Sequence, residues 1–231
     1  MNVHAHGSAT KVLVLGGKGA IGSAIADHFT ACGYTVVAAS RSTFDLARRE
    51  EILDYFAQHQ LEFDVLIHSA GWNVPKEFEL SNDEEIRHSI DSNLLGFLTV
   101  ARECIPHWKK TGTGRIVVIS SLYGLLGRHG RLPYVASKHA LNGAVKTLAI
   151  ELAPHGVLAN TVSPGYIATD LTFRNNSKEK IDALVAGIPL GRMGSPEEIA
   201  KVVAFLGSSE NTYINGQDII VDGGFSIGGF Q

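Results

Sequence analysis

Val12-Leu13-Val14-Leu15-Gly16-Gly17-Lys18-Gly19-Ala20-Ile21-Gly22 is the stretch whose reading decides the fold. Its first four residues are apolar and partly β-branched, the mark of a short buried strand. Glycines at 16, 17, 19 and 22 interrupt it, and from Ile21 to Cys32 apolar residues return at helical spacing. Glycine lets the backbone turn sharply and approach an anion closely, and the first amides of a helix direct their N–H groups at such an anion. A GxGxxG spacing at Gly17, Gly19 and Gly22 is a weak signal alone. Set between a first strand and a first helix, it predicts a pyrophosphate cradle made by Gly16, Lys18, Gly19, Ala20, Ile21 and Gly22.

The same alternation continues outward. A strand over 35–39 precedes a helix over 48–59, and an apolar run at 65–67 precedes a helix that begins near Ser81-Asn82-Asp83-Glu84. Beyond these lie a strand at 116–119, a helix over 134–152, a strand at 158–162, a helix near 196–206 and a strand at 218–221. Strands that read as unbroken apolar runs belong to a parallel sheet covered on both faces. The predicted class is therefore α/β, a single-domain Rossmann-type doubly wound parallel sheet with helices on both faces, spanning 11–231 behind a disordered tail, 1–10. No repeat or Pro/Gly-rich linker divides it. The excursion 168–194, polar at Arg174-Asn175-Asn176-Ser177 and carrying Gly187, Pro189, Gly191 and Gly194, is a candidate substrate lid.

Composition narrows the function classes. With 231 residues, 45% of them hydrophobic, the chain can bury a large core, and a net charge of −3 offers no excess positive charge for nucleic acid or an anionic membrane. Cys32 and Cys104 lack CxxC or metal-ligand spacing and are expected as two buried thiols, each inside a helix. The start lacks a signal-peptide apolar run and no stretch approaches the roughly 18 apolar residues of a membrane span, so a cytoplasmic setting is expected. His4 and His6 fall in the tail, and no metal site is predicted.

Two ends of the sheet carry chemistry. The second strand closes on Ala39-Ser40-Arg41-Ser42, where NAD-binding chains place a carboxylate for the ribose hydroxyls. Here Arg41 offers planar donors to a 2′-phosphate and Lys18 adds a second positive charge, which favours NADP(H). At the other end, the strand at 116–119 leads into Ser120-Ser121, and Tyr134-Val135-Ala136-Ser137-Lys138 opens a helix. Residues four apart share a helix face, so the Lys138 ammonium is expected to favour the ionised phenol of Tyr134, making it a usable acid or base, while Ser121 orients the substrate oxygen. Asn93, in Asp91-Ser92-Asn93-Leu94-Leu95-Gly96, is expected within an amphipathic helix and holds a water leading from Lys138 to solvent.

From Lys11 to Gly224 the chain resembles the short-chain dehydrogenase/reductase family, especially its 3-oxoacyl-acyl-carrier-protein reductases. The resemblance implies an Asn, Ser, Tyr, Lys tetrad at Asn93, Ser121, Tyr134 and Lys138. It adds cofactor contacts from Ser40, Ser69, Ala70, Gly71, Tyr134 and Lys138, and from Pro164, Gly165, Ile167 and Thr169 in Ser163-Pro164-Gly165-Tyr166-Ile167-Ala168-Thr169. The Gly191–Ala200 and Val221-Asp222-Gly223-Gly224 stretches match its C-terminal marks. Leu15 and Ala20 depart from the usual Thr and Gly, and His68-Ser69-Ala70-Gly71 stands where Asn-Asn-Ala-Gly is usual, with His68 expected as a packed neutral imidazole. The interval between the second strand and residue 65 is short, so a helix is expected to be missing. Phe44-Asp45-Leu46 then serves as an abbreviated third strand, with Asp45 and Leu46 lining the adenine pocket.

The resulting expectation is a reversible, NADPH-dependent reduction of a carbonyl to a secondary alcohol, with a 3-oxoacyl thioester as one substrate and an acyl carrier protein as one partner. Trp72, Leu122, Tyr123, Leu125, Leu126, Leu132, Tyr166 and Phe173 are predicted to form an apolar pocket, with Arg128, His129 and Arg131 drawing an anionic group to its mouth. Relatives imply a homo-oligomer, dimer or tetramer. Two other readings remain open: an NAD-dependent alcohol dehydrogenase of the same fold, and a dinucleotide-binding regulator without chemistry.

Overall fold

The computed structural model describes residues 10–59, 62–174 and 177–228, and its architecture grows from β1 (Lys11–Leu15). Successive residues of a strand point to opposite faces. Leu13 and Leu15 pack into one apolar layer with Phe44, Phe97, Trp108 and Leu141. Val12 and Val14 pack into the other, with Ile25, Phe29, Ile199 and Val203. A strand buried on both faces demands helices above and below it, and the chain supplies them.

The elements run β1, α1 (Ala20–Ala31), β2 (Thr35–Ala39), α2 (Arg49–His59), β3 (Val65–His68), α3 (Asp83–Ile90), α4 (Gly96–Thr111), β4 (Gly114–Ile119), α5 (Leu132–Leu152) and β5 (Val157–Pro164). Then come α6 (Asp170–Arg174), α7 (Lys178–Ala186), α8 (Pro196–Gly207), β6 (Asp218–Val221) and α9 (Phe225–Gly228). Six strands form one sheet in the order β2-β1-β3-β4-β5-β6, every pairing parallel. The chain steps one way from β1 to β2 and then returns to β3 on the other side, so the loops after β1 and β3 diverge. Ligands of open α/β sheets bind in the crevice such a switch opens at the carboxyl ends of the strands.

Three sequence expectations need correction. Phe44-Asp45-Leu46 forms no strand, because its backbone is spent on turns and on α2. The Phe44 N–H donates to the Ser40 carbonyl at 3.1 Å, the Asp45 N–H donates to the Glu51 carboxylate at 2.9 Å, and the Asp45 carbonyl accepts from the Arg48 N–H at 2.9 Å. Leu46 lies so close to the start of α4 that a Cβ at Gly96 would collide with its carbonyl, which explains a glycine there. As expected, no helix intervenes between β2 and this segment. Cys32 is exposed and caps α1 from outside it, whereas Cys104 is buried in α4. Asn93 sits in a π-helical turn, Asp91–Leu95, joining α3 to α4, where one extra residue per turn widens the helix.

The excursion at 168–194 is pinched at its base, where the Gly194 N–H donates to the Tyr166 carbonyl at 3.0 Å and the Ala168 N–H to the Gly194 carbonyl at 2.8 Å. Asn175 and Asn176 within it, and the tail at 1–9 with His4 and His6, lie outside the described residues.

Candidate active site

A cavity of about 250 Å³ opens at the switch point. Gly16, Lys18 and Gly19 form one wall, Ser40, Arg41, Asp45 and Leu46 a second, and Ser69, Ala70, Gly71, Trp72 and Ser92 a third. Gly16 takes φ 76°, and a Cβ there would stand 2.7 Å from the Ala70 backbone, so only glycine leaves this mouth open. Gly22 is equally constrained, since a Cβ would run into the Gly16 carbonyl. Of the predicted cradle, Ala20, Ile21 and Gly22 stand behind the lining in the first turn of α1. That turn has neither a side-chain cap nor an acidic residue, which leaves its amides free for an anion. Arg41 and Lys18 are exposed, and among the described residues neither has an ion-pair partner. A pyrophosphate at α1 and a second phosphate beside Arg41 fit what is present. Phe44 and Ser92 also line the cavity. The sequence stretches that contain them pointed to Asp45, Leu46 and Asn93 instead, and only the short β2–α2 turn and the π turn bring Phe44 and Ser92 to the cavity.

Ser121, Tyr134 and Lys138 meet at the carboxyl end of β4. Ser121 is extended, accepting a hydrogen bond from the Tyr123 N–H at 3.1 Å, and its hydroxyl neighbours the Tyr134 phenol. The Lys138 ammonium lies 5.6 Å from the centre of the Tyr134 ring and donates to the Ile119 carbonyl at 2.8 Å. A Cβ at Gly71 would be 3.6 Å from the Lys138 nitrogen, so the lysine also reaches under the loop that walls the cavity.

Asn93 is fully buried and clamps the backbone of Trp72. Its carbonyl oxygen accepts from the Trp72 N–H at 2.6 Å and its amide donates to the Trp72 carbonyl at 3.0 Å and to the Ser137 hydroxyl at 3.0 Å. Trp72 borders both the cavity and the recess beside Tyr134 and Pro133. The main-chain carbonyl of Asn93 pairs with His68 Nε2 at 2.9 Å. Pro164 is the last residue of β5, Gly165, Ile167 and Thr169 follow it, and none of the four lines the cavity. Ile167 borders a separate recess with Tyr166, Leu190 and Gly194. Leu122, predicted in the pocket, is 3% exposed and belongs to the interior, while Leu125, Leu132 and Phe173 are exposed.

The electrostatics differ from the prediction in one respect. Burial raises the Tyr134 phenol above its ordinary value, and Ser121 and then Arg131 work against that rise. The expected lowering by Lys138 is not the deciding influence, because its ammonium points to the Ile119 carbonyl. Burial brings Lys138 down to about 8. His68, as expected, is a packed neutral imidazole, stacked on Phe97 with ring centres 5.1 Å apart and held near 3 by burial and then by the Lys138 charge.

A parallel switch-point sheet, an open glycine cradle and a Ser, Tyr, Lys cluster beside it define a dinucleotide-fold oxidoreductase. A family model described as enoyl-(acyl carrier protein) reductase matches residues 42–226. The chain belongs to the short-chain dehydrogenase/reductase family. It is 35% identical over 230 residues to a 3-oxoacyl-[acyl-carrier-protein] reductase of Rickettsia conorii, covering 92% of this chain and 95% of that protein. Among solved structures, 4-hydroxyisoleucine dehydrogenase complexed with NADH is similar with a TM-score of 0.87 and 27% identity, over 95% of this chain and 99% of that one. ElxO with NADP bound is similar with a TM-score of 0.85 and 26% identity, again over 95% and 99%.

Proposed function

We propose that the chain is an NADP(H)-dependent reductase that turns a carbonyl into a secondary alcohol, reversibly, with Tyr134 as the acid/base. The observation that carries the reading is a buried lysine, Lys138, held 5.6 Å from the ring centre of the half-buried Tyr134 phenol, at the lip of an open dinucleotide cavity. A buried ammonium is costly and is kept where its charge has work to do. When bound, the nicotinamide supplies a hydride to the carbonyl carbon. Tyr134 gives its proton to the oxygen, and its raised pKa keeps that proton in place through the neutral range. Ser121 holds the oxygen, and Lys138 steadies the phenolate left behind. Asn93 fixes Trp72 and α5, and so the shape of the site.

Arg41 and Lys18 support NADP(H) over NAD(H), although one similar structure holds NADH and another NADP. The Rickettsia relative's name makes 3-oxoacyl thioesters the first substrates to try and an acyl carrier protein a partner to test. Leu95, Leu132, Ile220 and Ile227 are 47%, 49%, 43% and 88% exposed, apolar surface suited to a dimer or tetramer. Among the described residues no helix is long and apolar enough to cross a membrane. The two free cysteines suit a reducing, cytoplasmic setting.

The deciding experiment follows oxidation of NADPH and NADH by purified protein over 3-oxoacyl thioesters, aliphatic and cyclic ketones, diketones and aldehydes. Turnover with NADPH in preference to NADH supports the reading. Preference for NADH would make it an NAD-dependent alcohol dehydrogenase, and tight cofactor binding without turnover would make it a regulator.

A further inference from the structure

The loop between β4 and α5 ends on a cation that the scheme above leaves unused. Arg131 stands three residues before Tyr134 and is partly buried, and among the described residues its guanidinium has no carboxylate or hydrogen-bond partner. Partial burial already works against its charge. Its charge acts on Tyr123, Tyr134 and Tyr166, and Arg128 is near enough to repel it, so the groups that feel it are phenols and a second cation rather than a carboxylate. The hydroxyls of Tyr123 and Tyr166 are themselves paired at 3.0 Å. Arg128 extends the positive charge outward, its guanidinium 5.8 Å from the centre of the Tyr123 ring.

This cluster is built into the fold. The Lys76 N–H donates to the Gly130 carbonyl at 2.9 Å, and the Lys76 ammonium holds both carboxylate oxygens of Glu85 at 2.8 Å, so the loop is pinned to α3 just before Arg131. Gly130 takes φ 67°, which turns the chain into α5. The nearby acidic side chain Glu77 is engaged at 3.1 Å by His129. A guanidinium held partly out of water without a counter-ion, among hydroxyls, matches the planar two-oxygen face of a carboxylate.

We propose that Arg131, with the Tyr123 and Tyr166 hydroxyls beside it and Arg128 at the mouth, binds a carboxylate carried by the substrate itself, so that the preferred substrate is a short oxo acid. The inference rests on the carbonyl-reductase reading and deepens it. Arg131 sits beside the phenol that protonates the reacting oxygen, so the charge it meets lies only a few bonds from the carbonyl. A phosphate at the far end of a carrier arm does not reach it, and a thioester has lost the negative charge that Arg131 recognises.

The test compares 3-oxobutanoate and 4-oxopentanoate with their methyl esters, with the N-acetylcysteamine thioester of 3-oxobutanoate and with 2-butanone, using the full chain and NADPH. Free acids are expected to exceed their esters in kcat/KM by about 30-fold, the scale of a charge-assisted pair. Arg131→Gln is expected to cut the acid-to-butanone ratio of kcat/KM by about the same factor through KM, and Arg131→Lys to recover part of it. Esters or thioester used as well as the acids would overturn the proposal. So would an Arg131→Gln effect confined to kcat and equal for acid and butanone, which would mean that Arg131 serves Tyr134 alone. Binding is read separately, by the Tm of the NADPH-loaded chain with butanoate. A Tm rise in the wild type, lost in Arg131→Gln, supports the anion site even if no carbonyl is reduced, in which case only the reductase reading falls. A wild-type Tm unmoved by butanoate overturns the anion site whatever the turnover.

Discussion

The side-chain amide of Asn93 donates to the Ser137 hydroxyl at 3.0 Å, across 44 residues of chain. Ser137 in turn donates to the Tyr134 carbonyl at 2.7 Å, one turn back along α5. The π turn between α3 and α4 is thereby tied to the helix that carries both Tyr134 and Lys138. Through Trp72 the same amide also holds the loop that walls the dinucleotide cavity.

Replacing Asn93 by Ala leaves the Trp72 N–H and carbonyl without their partners. The expected loss is about 2 kcal/mol of stability, from removed hydrogen bonds and incompletely solvated backbone groups. Cofactor binding is expected to weaken as the Trp72 loop loosens. Urea midpoints at constant m-value and NADPH titration by fluorescence check both, and a variant of wild-type stability would mean that water replaces the amide without cost.

Tyr134→Phe removes the hydroxyl and little volume. Turnover is expected to fall by about 10²-fold or more, with NADPH affinity altered only slightly. Steady-state rates and fluorescence titration on one preparation separate the two effects. Substantial retained turnover would transfer the proton donor's role to another group, Ser121 first among them.

Arg41→Glu places a carboxylate where a 2′-phosphate is proposed to lie and where ribose hydroxyls would welcome one. The KM for NADPH is expected to rise by about 10-fold or more, with the preference moving toward NADH. Measuring kcat/KM for both cofactors in wild type and variant decides it. An unmoved ratio would show that Arg41 is only a surface charge.

His68 makes stability depend on acid. Its ring is held near 3 in the folded chain, against an ordinary value of 6.5. Above pH 6.5 the ring is neutral in both states. Below it the unfolded chain takes up a proton that the folded chain refuses, so stability falls as the pH drops from 6.5 toward 3. Thermal melts across that window are expected to be steeper for wild type than for His68→Asn. Parallel curves would assign the acid sensitivity to other groups.

The alternation of apolar strands with helical periods, the glycine cradle and the Tyr134–Lys138 spacing are local patterns. They were legible because strand burial repeats every two residues, helix faces every three or four, and glycine marks a turn wherever it falls. For that reason all six strands lie where hydrophobic pattern placed them. The segment at 44–46 misled because the resemblance to longer relatives called for a third strand in the short interval after β2. The backbone groups of Phe44 and Asp45 pair instead with Ser40, Arg48 and Glu51, a choice that neither resemblance nor spacing reveals. Cys32 misled in a simpler way, since helical period does not show on which residue a helix stops.

The sequence alone thus determined the sheet, the family and which residue types could do chemistry, because each rests on short-range periodicity or on a motif a few residues long. Only the tertiary structure decided that Asn93 clamps Trp72, that the Lys138 ammonium turns to the Ile119 carbonyl, and that Arg131 is left without a counter-ion among three tyrosines. Those relationships join residues far apart in the chain. Burial and distance, which set the energy of a charge or a hydrogen bond, exist only once the chain has folded.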